Sequence, residues 1–105
     1  MSFVCILTTL PDPATARQLA RRLVEARLAA CVNVLEGCSS VYRWQATVEE
    51  ASETVLVIKT AQDRYADLET FLRQQHPYEL PEIIALPIAQ GLPEYLDWVR
   101  AQTRA

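Results

Sequence analysis

The sequence predicts an α+β fold, one domain over residues 1–105, in the order strand, helix, strand, strand, helix, strand, with an extra C-terminal helix. Three observations carry that expectation. Apolar runs at Phe3 to Thr9, Val55 to Ile58 and Ile83 to Leu86 have the length of strands, and prolines follow the first and last of them. Apolar residues recur every three or four positions from Ala16 to Leu28 and from Tyr65 to Leu72, as on one face of a helix. Gly37 interrupts a β-rich stretch that is otherwise long for one strand. Half of the 105 residues are apolar, enough for one core and not for two.

The elements follow in order. Phe3 to Thr9 reads as a buried strand ended by Leu10-Pro11-Asp12-Pro13. Asp12 is placed to cap a helix whose first residue is Pro13 and whose inner stripe is Ala16, Leu19, Ala20, Leu23, Val24 and Leu28. Arg17, Arg21, Arg22, Glu25 and Arg27 fall between these and form a solvated face. The second strand runs from Cys31 to about Val48, with a bulge or bend at Gly37 that lets it serve two sheet environments. Glu49-Glu50-Ala51-Ser52 interrupts the pattern, and Glu53 to Thr60 returns antiparallel, giving a long central hairpin without an Asn-Gly or Asp-Gly tip. Asp63 is a candidate cap for a second helix carrying Tyr65, Leu68, Phe71 and Leu72, stopped at His76-Pro77. Ile83 to Leu86 fits a fourth, central strand closed by Pro87. Gly91-Leu92-Pro93 opens the last helix, with Leu92, Tyr95, Leu96 and Val99 inward. This order is that of a ferredoxin-like βαββαβ sandwich.

Composition narrows function. Charges of both signs are interspersed and the net charge is −3, so nucleic acid is not an expected partner. The first residues carry no basic leader and the apolar run there is too short to span a bilayer, so no membrane partner and a cytoplasmic location are expected. Cys5, Cys31 and Cys38 form no CxxC pair: the first two read as small hydrophobes, and Cys38, in a plausible bend, as an exposed, oxidisable thiol. Two glycines cannot build a phosphate loop, nucleophile and dinucleotide motifs are missing, and there is one histidine, so an enzyme is not expected. The segment His76-Pro77-Tyr78-Glu79-Leu80-Pro81-Glu82 stands out, because prolines hold an imidazole, a phenol and two carboxylates in a stiff loop. It suits either a ligand-binding or interface loop, or a rigid crossover whose polar groups bond to nearby backbone. Tyr42, Trp44, Tyr95 and Trp98 would leave apolar area open on a lone domain, which points to burial against another subunit.

Leu28-Ala29-Ala30-Cys31-Val32-Asn33 and the His76 to Glu82 segment, in order with Thr9-Leu10-Pro11-Asp12, Ser40-Val41-Tyr42-Arg43-Trp44, Lys59-Thr60 and Tyr95-Leu96-Asp97-Trp98, resemble the CutA divalent-cation tolerance proteins. The resemblance implies a small cytoplasmic homotrimer whose long strands pair across subunits and whose last helix lies over a neighbour, with a role in metal ion homeostasis. It also implies binding of Cu2+ or another divalent cation. Some members combine a cysteine on the first strand with a histidine before the Pro-Tyr pair. Here Thr8 stands at the cysteine position and Gln75 where a second histidine can occur, so the implied set is His76 with Glu79 and Glu82, holding the ion weakly. The family fold is similar to that of the PII-type signalling trimers, which implies an alternative: an organic effector in an inter-subunit cleft near Tyr42, Trp44, Lys59, Tyr78 and Trp98. A purely structural assembly is a third possibility, and no organic cofactor follows from any of these.

Overall fold

Asp12 starts the first helix as its position predicts. Its carboxylate accepts a hydrogen bond from the Thr15 backbone N–H at 2.8 Å, and Pro13, whose missing N–H has no partner to lose there, is the first helical residue. The computed structural model describes residues 1–104. Strand β1 spans Phe3–Leu10, helix α1 Pro13–Glu25, β2 Cys31–Trp44, β3 Thr47–Ala61, α2 Tyr65–Gln75, β4 Ile84–Pro87 and α3 Pro93–Gln102. The four strands form one antiparallel sheet in the order β2-β3-β1-β4. The α+β, ferredoxin-like arrangement with a long hairpin and a final extra helix is therefore present.

The core follows the two periodicities. Ala16, Leu19, Ala20 and Leu23 of α1 and Leu68 and Leu72 of α2 pack on Val4, Ile6, Leu10, Leu56 and Ile58 of one sheet face. Truncating one of the fully buried leucines to alanine removes about 2–5 kcal/mol. A smaller cluster joins Val99 of α3 to Phe3, Ala30 and Ala61. Helix α1 stops at Glu25, earlier than its apolar stripe: Arg27 takes a left-handed φ of 57°, the Leu28 N–H donates to the Leu23 carbonyl, and Leu28 is buried from the following loop.

Gly37 does break the second strand, with φ +78° and a register shift between Leu35 and Cys38. Several local expectations need correction. The hairpin turns at Gln45-Ala46, not beyond Val48, and Glu49 to Ser52 lie within β3, paired with Ser39 to Tyr42. Cys38 is a half-buried strand residue, not part of a bend. Asp63 sits in a 3₁₀ turn at Gln62–Arg64, and α2 begins after Arg64 with no side-chain cap. Strand β4 is an edge: it pairs only with β1, and all four of its residues are exposed. On α3 only Val99 is buried and Leu96 half-buried, while Leu92 is 64 % and Tyr95 40 % exposed, because the helix touches the sheet along a single narrow line.

Candidate functional site

Pro77 decides the geometry of the site. The residue before a proline avoids helical backbone, so His76 ends α2 in an extended conformation (φ −76°, ψ 136°) while its N–H still donates to the Leu72 carbonyl. That turn sends the imidazole inward, where it is 8 % exposed. Its Nε2–H donates to the Thr9 carbonyl at 2.8 Å, and its Nδ1 accepts the Tyr78 backbone N–H at 3.1 Å. One nitrogen donates and the other accepts, so the two contacts specify a single neutral tautomer. Burial pushes the His76 pKa down by disfavouring the cation, against the opposing pulls of the Thr9 carbonyl and the Glu53 charge.

The Tyr78 ring lies 4.9 Å from that of His76, and its hydroxyl donates to Glu53 Oε2 at 2.7 Å. Glu53 is 9 % exposed. Desolvation raises its pKa, but hydrogen bonding by Ser40, Tyr78 and Thr9, with the nearby imidazole, outweighs this and leaves the carboxyl below the usual range. It is an anion at neutral pH. Burial and the Glu53 hydrogen bond and charge push the Tyr78 phenol strongly upward, so it stays protonated and donating. Among the described residues no Lys, Arg or His side chain forms an ion pair with Glu53.

Around this chain of contacts opens a cleft of about 970 Å³. Tyr42 and Trp44 from the hairpin form one side, the Pro77 to Ile84 segment the other, and Thr9, Ser40 and Glu53 contribute from β1, β2 and β3. Of the residues expected in a cleft between subunits, a single chain brings Tyr42, Trp44 and Tyr78 together and places Lys59 and Trp98 elsewhere on its surface. Lys59 lies six residues along β3 from Glu53, roughly 20 Å at strand rise, beside Cys5 and Cys31, and its ammonium donates to the Asn33 side chain. Trp98 stacks on Tyr95 along α3, ring centroids 5.6 Å apart.

The expected metal ligands are also divided. Glu79 and Glu82 are exposed and line the cleft, whereas both His76 nitrogens are engaged within the protein. No three His, Cys, Asp or Glu side chains among the described residues come together as a ligand set. Such a donor set fits a hydrated, weakly held cation on carboxylate oxygens and not a tight enclosed site. Glu53 was not foreseen as a site residue. The sequence carries no clear signal for it, because it falls in phase with Val55 and Val57 but also with Glu49 and Lys59, and only its burial sets it apart from those charged neighbours.

The family model described as CutA1 divalent ion tolerance protein matches residues 4–102. The divalent-cation tolerance protein CutA of Thermus thermophilus is 49 % identical over 98 residues, covering 93 % of this chain and 95 % of the relative. The crystal structure of CutA from Xylella fastidiosa superposes with a TM-score of 0.95 at 42 % identity, over 99 % of this chain and 100 % of that one. The structure described as the periplasmic divalent cation tolerance protein CutA from Archaeoglobus fulgidus does so with a TM-score of 0.94 at 34 % identity, over 97 % and 99 %.

Proposed function

The chain belongs to the CutA1 divalent ion tolerance family, and from that premise we propose that it works as a cytoplasmic homotrimer that binds a divalent cation of the copper(II) type weakly and contributes to metal ion homeostasis. Family membership over nearly the whole chain is the observation that carries this reading. The exposed carboxylates Glu79 and Glu82 at the cleft supply the donors, with His76 positioning the loop that bears them. The role is binding, without a catalytic step.

The trimer draws support from the surface. Both edge strands are open, and Leu35, Val41, Val48, Ile84, Leu86 and Trp98 are each at least 40 % exposed, apolar area that a lone chain leaves in water. Calorimetric titration of copper(II) into chelator-stripped protein tests the metal role. Weak saturable binding, abolished in Glu79→Gln/Glu82→Gln with the oligomer intact, is expected; unchanged binding in that variant removes the assignment.

A second reading is favoured by the cleft itself. Three aromatic side chains, Tyr42, Trp44 and Tyr78, line it, and rings are of no use to a hydrated metal ion but suit an organic ligand.

A further inference from the structure

We propose that the cleft binds a small organic cation of the alkylammonium class, an inference that rests on the second reading above and is independent of the metal role. The argument begins with Glu53. It is an anion, 9 % exposed, and accepts the Tyr78 hydroxyl, yet among the described residues it has no cationic partner. Hydroxyl donors offset its desolvation and keep it ionised but bring no positive charge, so its negative charge is left uncancelled at the cleft. His76 does not cancel it, because its ring is held in the neutral tautomer by Thr9 and Tyr78.

The walls say what kind of cation completes the site. A bare metal ion gains from oxygen donors alone, whereas an ammonium carrying alkyl groups gains from ring faces as well, through attraction of the cation to the aromatic quadrupole and burial of its methyl groups. Tyr42, Trp44 and Tyr78 supply ring surface, and Glu79 and Glu82 add negative charge. An organic anion is disfavoured by the three carboxylates, and a neutral apolar molecule gains nothing from the Glu53 charge. In the single chain Trp44 and Tyr42 are 37 % and 45 % exposed, so each keeps ring surface that a ligand in the cleft can meet.

The test uses tetramethylammonium chloride against the similarly sized, uncharged tert-butanol, with chelator present and ionic strength held constant with sodium chloride. Trp98→Phe protein leaves Trp44 as the sole tryptophan and therefore as the fluorescence reporter. Saturable quenching at about millimolar tetramethylammonium, with at least tenfold weaker response to tert-butanol, is expected. Glu53→Gln keeps an acceptor for Tyr78 but removes the charge, and a tenfold or greater loss of affinity is expected while the circular dichroism spectrum is unchanged. Equal binding of the two probes, binding unaffected by Glu53→Gln, or no binding at all overturns the proposal. If Glu53→Gln does not fold, Trp44→Leu, read by calorimetry, decides in its place: lost binding supports the site and retained binding overturns it. Because chelator is present throughout, failure here leaves the copper titration untouched, and failure of that titration leaves this one standing.

Discussion

His76 is the only histidine in the chain, so it dominates titration between the carboxylates and the amines. Its folded pKa lies below the unfolded value of about 6.5, because burial disfavours the cation. As pH falls through 6.5 the unfolded chain therefore takes up a proton that the folded chain resists, and stability declines from there toward the folded pKa. A urea midpoint that drops between pH 7.5 and 5.5 in the native protein, and drops less in His76→Gln, is the expected result. Glu53 acts in a lower window, its contribution present above about 4.5 and lost as pH falls through its depressed folded pKa. Tyr78→Phe should cost about 1–3 kcal/mol by leaving a buried carboxylate short of a donor, measured by chemical denaturation. Thr8 presents the opposite case. It is fully buried and its hydroxyl has no partner among the described residues, so Thr8→Val, which replaces that hydroxyl with a methyl group, should raise stability by about 1 kcal/mol in the same assay.

Elements differ in how far local chemistry announces them. Asp12-Pro13 and Gly37 were legible because a cap, an N-terminal proline and a positive φ each demand a particular residue, and that residue is there. The hairpin tip was not. Gln45 and Ala46 both adopt positive φ, 50° and 69°, in a two-residue turn that favours Asn-Gly, so the side chains carry no trace of the conformation the two strands impose. Such backbone is unfavourable for residues with a Cβ by roughly 1–2 kcal/mol each, and Gln45→Asn/Ala46→Gly should raise the urea midpoint without moving the cleft residues. Strand β4 misleads for a different reason: four apolar residues look the same whether another strand, a helix or a second chain is to cover them. Strand rise separates Lys59 from Glu53 within one chain, so a cleft between subunits that includes Lys59 draws it from a neighbouring copy. Glu53 itself went unseen because its role depends on Tyr78, which is 25 residues away and reaches it only through the turn at Pro77.

At the scale of the molecule the hairpin makes the chain elongated, 44 Å in its longest dimension against 25 and 23 Å across. The proposed trimer predicts that Val48→Asp, at a position 60 % exposed on that arm, folds normally but lowers the mass measured by light scattering from three times the 11.9 kDa chain toward one. A mass of three chains in that variant would remove the arm from the interface. The sheet order also has a consequence in time. Strand β1, near the N-terminus, lies between β3 and β4, and its partners are residues up to Ala61 on one side and Pro87 on the other. Synthesis supplies β2 and β3 next, and these are neighbours in sequence that can zip together across the two-residue turn as soon as they emerge. The first strand made is thus the last to gain both neighbours, and a ribosome paused before residue 84 holds a nascent chain whose central strand still has one bare edge.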